Sequence, residues 1–225
     1  MAEALDAIES RAIFANGGKT TTATARTDGG HTKDHFAAHI WLTQGYNTLP
    51  QEIDRSEIAQ YLKAGERGLC RSVGSPTGPR LGKAAPRPID QFKYGVSYAG
   101  IPDGHSYGYG IYTYIGDPGR EADVRSNWSS YGGGNSNQWH GTLKADARTL
   151  TQRHANKLRR ELAIAMKLDT ELSKRKQLIS ILENDDNTVG WVAALYGYDG
   201  YETNNPPYFV LLNRGAVRVV KQDLH

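Results

Sequence analysis

The 225-residue chain holds a single cysteine, Cys70, so no disulfide framework can form within it. No apolar run approaches the roughly 18 residues of a membrane-crossing helix. The opening stretch, "MAEALDAIESRAIFANGGK", carries acidic residues and lacks the apolar centre of a signal peptide. A reducing, cytosolic setting is the expectation, and an effector delivered to a host cytosol by another route is compatible with it. Neither sign of charge dominates. The net charge is +3 and the pI about 8.9, compatible with an anionic ligand but short of the basic footprint of a dedicated nucleic-acid binder.

Several site signatures fail by one residue. "GGKTT" resembles the end of a phosphate-binding loop, but Ile13 stands where its first glycine belongs, and no helix-forming run follows. His31, His35 and His39 are spaced to share a helix face, yet the glutamate of an HExxH zinc site is missing, so a solvated face is expected and no metal. "GVSYA" departs from the GxSxG nucleophile elbow at Ala99. Cys70 lies in an apolar strand-like run, where a buried structural thiol is the ordinary reading.

Enough apolar sequence remains for a core: 38% of residues are hydrophobic and 9% aromatic. Residues 1–44 read as a short N-terminal helix and a Gly/Thr-rich arm, becoming helical again from "HTKDHF". From residue 45 onward the pattern predicts a helix with Pro50 near its start and Gly65 at its end. The strand "LCRSVG" follows, then the Pro/Gly-rich "SPTGPRLGKAAPRP". "FKYGVSYAG" and "YGYGIYTYI" alternate as strands. The polar residues 116–141 read as mostly loop, and "GTLKADARTLT" as one strand. "QRHANKLRRELAIAMKLDTELSKRKQLISILEND" predicts one long helix. "VGWVAALYG" predicts a short helix closed by glycine. "PYFVLLNRGAVRVVK" gives two β runs split by a hairpin or bend. Strands cluster in the middle and at the end, which predicts α+β. No internal repeat is present.

Two features carry chemistry. Arg71 interrupts a short apolar strand, where burial is costly unless the guanidinium meets an anion, either an ion-pair partner or a bound phosphate or carboxylate. "SYGYGIYTY" packs four tyrosines and two glycines into nine residues. Tyrosine rings stack on planar heterocycles, and glycines such as Gly108 and Gly110 admit close backbone approach. Ordinary sheet surface is the competing reading. The basic residues of "KLRRELAIAMKLDTELSKRK" are interleaved with acidic ones, which suits a solvated face better than a nucleic-acid groove.

In chain order these pieces resemble the ADP-ribosyltransferase family, especially its phage- and toxin-associated branch. "LCRSV" is similar to that branch's "LYRGV", "YGYGIYTY" to "YGxGIYxx", "TLKADAR" to "xLKPDAK", and "LYGYDGY" with "YFVLLNRGAV" to "GYDAI" with "YYVVLNRxAV". Poly(ADP-ribose) polymerases carry the similar "YGKGIYFA". The likeness covers about residues 45 to 221. It implies a split, mixed β-sheet core gripping NAD, the substrate. Arg71 would hold a phosphate or ribose, and Tyr112 would sit beside the nicotinamide, with Gly110 fixing the amide. Ser72, Tyr98 and Gly108 complete the implied NAD-binding set.

The reaction would cleave the nicotinamide N-glycosidic bond and transfer ADP-ribose to a macromolecular acceptor, protein or nucleic acid. The glutamate such enzymes place at the last core strand is absent. Pro206, Pro207, Tyr208 and Phe209 fill the expected places, leaving Glu202 as the catalytic carboxylate and Asp199 as a weaker candidate. A catalytically weak or inactive member, acting as a nucleotide-binding or structural module, is the alternative that this departure keeps open.

Overall fold

The computed structural model describes residues 26–27, 31–32, 46, 48–73, 110–115, 137–204 and 208–221. Within the first 44 residues, only β1 (Arg26–Thr27) and β2 (His31–Thr32) are described, as a two-residue antiparallel pair. The expected N-terminal helix, His35 and His39 lie outside the described residues. A helix face starting at His31 is corrected, because His31 is in a strand.

The first change of pattern falls after Pro50. Where a helix was expected, Gln51–Ile53 form strand β3, which pairs in parallel with residues 218–220. Only distant sequence supplies that partner, so local pattern could not show it. The helix begins later. Asp54 caps it with its backbone N–H donating to the Glu57 carboxylate at 2.7 Å. A 3₁₀ turn at Arg55–Glu57 leads into α1 (Ile58–Lys63). Gly65, at φ 91°, follows its end as expected.

Strand β4 (Arg67–Val73) contains Arg71, and β5 (Ile111–Ile115) contains Tyr112. Strand β6 (Asn137–Leu143) corrects the expectation of loop through residue 141. Its polar residues earn their place by backbone pairing on both sides, with β4 and with the last strand. The single strand expected at "GTLKADARTLT" is also two. Leu143 ends β6, a turn follows, and Thr149–Thr151 form β7.

The expected long helix is broken. Helix α2 (Gln152–Leu168) starts at Thr151, whose hydroxyl accepts from His154 N at 3.3 Å. It stops at Asp169, whose carboxylate accepts from the backbone N–H of Glu171 and Leu172 at 2.9 and 2.8 Å. This local turn outcompetes helix continuation. A 3₁₀ segment and α3 (Lys176–Asn184) follow, folding back on α2 so that Lys167 pairs with Glu183 at 2.5 Å. Leu162 and Met166 of α2 are buried, and Leu158 and Leu172 are partly buried against them.

Helix α4 (Val189–Leu195) is apolar all round and buried, and it ends at Gly197, φ 76°. Strands β8 (Gly200–Glu202), β9 (Tyr208–Leu211) and β10 (Val217–Val220) complete the chain. β9 and β10 are not a hairpin. The 3₁₀ turn at Arg214–Ala216 sends them to opposite halves of the sheet.

The result is mixed α and β, with four helices and one eight-stranded mixed sheet of order β3-β10-β6-β4-β5-β9-β8-β7 among the described residues. Its parallel pairs, β3–β10 and β7–β8, lie at the edges. One face buries Tyr201 and Val210 under α2, α3 and α4 together with Trp191 and Met166. The other face collects Leu69, Ile111, Phe209, Leu211, Val217 and Val219. Full burial of such side chains contributes about 1.5–3 kcal/mol each.

Candidate functional site

The two central strands hold together over a short length only. All seven residues of β4 pair with β6, from Arg67↔Leu143 to Val73↔Asn137. On its outer side β5 pairs with β9 over four residues, from Ile111↔Leu211 to Tyr114↔Tyr208. Between β4 and β5 the register comprises Leu69↔Ile115 and Cys70↔Tyr114. Past Cys70 each strand continues in ladder only with its outer neighbour, so the β4–β5 pairing ends at that residue.

Arg71 is the next residue of β4. Its Nη1 donates to the carbonyl of Tyr112 at 3.2 Å, from β4 to β5. The guanidinium is half-buried and carries five donors in a fixed fork. Strand alternation starts Arg71 on the face of Leu69. Tyr112 points the other way, its ring packed against the helix-side cluster. There it faces Tyr201, whose phenol is pushed well above its usual range by burial first and by Tyr112 second.

Gly110, at φ 148°, precedes β5. A Cβ there would meet Val210 Cγ1 at 2.3 Å and Leu211 O at 2.9 Å. Close packing on β9 therefore requires this glycine, whatever else approaches it. Ser72 continues β4 alongside Gln138. Tyr98 and Gly108 lie outside the described residues.

Glu202 is the last residue of β8, opposite Phe209 of β9, which is opposite Thr113 of β5. In the strand order, β5 and β9 lie between Arg71 on β4 and Glu202 on β8. Glu202 is instead bonded to Arg67, Nη1 to Oε1 at 2.5 Å, both side chains being more than 40% exposed. The contact spans the sheet from β4 to β8, past β5 and β9. Asp199, the other carboxylate singled out, is a structural hub. Its carboxylate accepts from Arg148 N and Asn213 Nδ2 at 2.7 Å each, and its carbonyl accepts from Leu212 N and Asn213 N.

Folding therefore brings Arg71 onto the Tyr112 carbonyl, sets Gly110 against Val210 and Leu211 of β9, and leaves Glu202 on β8 bonded to Arg67. Sequence reasoning missed Arg67, which lies 135 residues from Glu202. It also missed Thr113, whose hydroxyl donates to Phe209 O at 3.0 Å and ties β5 to β9 at full burial. Neither has a local signal, since both depend on strand order. Among the described residues no group of three or more His, Cys, Asp or Glu is placed to hold a metal ion. Nor is any described helix long and apolar enough to cross a membrane.

In comparisons with protein families, curated proteins and solved structures, nothing matches the chain.

Proposed function

We propose that the chain is an NAD-dependent ADP-ribosyltransferase, phage-encoded or a toxin-like effector, acting on a macromolecular acceptor. The observation that carries this reading is Arg71 at the point where the β4–β5 pairing ends, in the chain order of motifs that resembles the family. The reading places an extended dinucleotide along the backbone beyond the last β4–β5 pair, Cys70↔Tyr114. A guanidinium there suits a phosphate, because its fork bonds two oxygens at once.

In the reaction the bond from the ribose to nicotinamide breaks, and nicotinamide leaves with the electron pair. The ribose passes through an oxocarbenium-like state, and an acceptor nucleophile attacks it and loses its proton. The chain's work is positioning and electrostatic support of that cation. Arg71 anchors the substrate, Tyr112 lines the nicotinamide side of the site through its backbone, and Glu202 supplies negative charge once released from Arg67.

A second reading has its own support: β9 offers no carboxylate at its start, and Glu202 is engaged by Arg67. This favours a weak or inactive nucleotide-binding module. Incubation with labelled NAD separates the two, because the enzyme releases nicotinamide. Absence of release by the wild-type chain, with and without cell extract, would overturn the enzyme reading, and NAD binding without release would leave the module.

A further inference from the structure

Cys70 and His140 face one another across β4 and β6 as direct register partners. Side chains of such partners leave the sheet on the same face, with Cβ atoms about 4.5–5.5 Å apart. That separation brings a thiol and an imidazole within proton-transfer reach. The row continues through Tyr114, opposite Cys70 on β5, to Tyr208, opposite Tyr114 on β9. The two tyrosine rings meet edge to face at 5.9 Å. Cys70 is 9% exposed, while His140 is only half-buried. The thiol is therefore shielded by aromatic rings on one side and flanked by a solvent-touched base on the other. This is the nucleophile–base arrangement that the sequence, with the two 70 positions apart, cannot display.

We propose that Cys70 is a reactive thiol activated by His140, and that the pair is a modification site for small electrophiles of the peroxide class. The imidazole takes the thiol proton. The thiolate sulfur attacks one peroxide oxygen, the O–O bond breaks, and a Cys–SOH forms. The departing hydroxide takes the proton from the imidazolium and leaves as water. Sulfur is oxidised by two electrons and the peroxide reduced by two.

The other ionisable groups around the thiol are identifiable. Tyr114 and Tyr208 face it along the row. One step along the strands on the same face, Glu66 accepts from Thr142 Oγ1 at 2.5 Å and pairs with Arg218 Nε at 2.9 Å. Glu66 and Arg218 offset each other's charge. Arg71, next in sequence, starts on the opposite face. Among the described residues, His140 is the register partner positioned to set the protonation of Cys70. The site occupies the last rung of the β4–β5 ladder, and it stands independently of the nucleotide reading.

The test uses the full chain in its native state. Alkylation by iodoacetamide is followed by intact mass between pH 5 and 10, and peroxide oxidation is trapped with dimedone. The wild-type rate is expected to reach its plateau well below the midpoint of about 8.5 of an unassisted thiol. His140→Gln is expected to slow alkylation about tenfold at pH 7 and to move the midpoint up into the ordinary range. Dimedone should add once to the wild type and not to Cys70→Ser. The wild-type profile needs no variant to fold. A wild-type midpoint at or above that of an unassisted thiol, labelling only in denaturant, or equal rates for wild type and His140→Gln would each overturn the proposal.

Discussion

Arg71 and Gly110 are the residues at which a single atom group decides most. Arg71 links β4 to β5 beyond their last ladder pair, through Nη1 and the Tyr112 carbonyl. Arg71→Ala is expected to weaken NAD binding at least tenfold, measured by calorimetry, and Arg71→Lys should recover only part because a point charge lacks the fork. Unchanged affinity in both would return Arg71 to a structural role. Gly110→Ala would drive a methyl into Val210 and the Leu211 carbonyl and force a backbone angle that L residues avoid. A loss of about 1–3 kcal/mol in urea unfolding is expected. Glu202→Gln should sharply lower any nicotinamide release, and full activity would remove Glu202 from the mechanism. The strand around Arg71 was legible because a short apolar run with one arginine stands out in sequence alone. Glu202's engagement was not, because Arg67 lies 135 positions away on another strand and only the strand order brings the two within reach.

At the level of elements, the junction of α2, α3 and α4 depends on Arg159. It is 1% exposed, and its guanidinium donates to Leu182 O at 2.8 Å, Asp185 O at 3.0 Å and the Asp186 carboxylate at 2.6 Å. The guanidinium thus satisfies the carbonyls at the end of α3, where a cation also complements the helix dipole. Arg159→Ala should cost about 2–4 kcal/mol, since buried carbonyls lose their donor. Asp186→Ala should cost less than about 1 kcal/mol, because the Asp186 side chain is 83% exposed and screened. Equal losses in thermal unfolding would refute this division. The sequence read this whole region as one helix, since composition and period continue across Asp169. What it lacked was the competition at Asp169, where one carboxylate capturing two backbone N–H groups stops the helix.

Across the whole molecule, buried phenols tie stability to alkaline pH. Tyr46 donates to Tyr198 O at 2.5 Å, and its phenol is pushed far up by burial and then by Asp199, against a smaller opposing effect of Arg148. Tyr201 is raised too, mainly by complete burial. Both folded-state values lie above the unfolded value of about 10, so the neutral form is favoured in the fold. Their contribution is full below about pH 10 and is lost as pH rises above it, because the unfolded chain then releases protons that the native chain keeps. Unfolding free energy should therefore fall steeply above pH 10. The double change Tyr46→Phe and Tyr201→Phe should flatten that fall, and an unchanged slope would contradict it.

By itself the sequence determined the class of many elements: alternation marked β5, short apolar runs marked β4, β9 and β10, and apolar spacing marked α4 and the helical character of the α2–α3 region. Local patterns also located Arg71 and the tyrosine–glycine run, because their oddity is one of residue type against immediate neighbours. Tertiary structure alone decided the strand order, the end of the β4–β5 ladder at Cys70, and the pairings Cys70–His140 and Arg67–Glu202. These join residues 70 and 135 positions apart. Backbone ladders can join any two strands whose registers agree, so composition and period do not encode which ones meet.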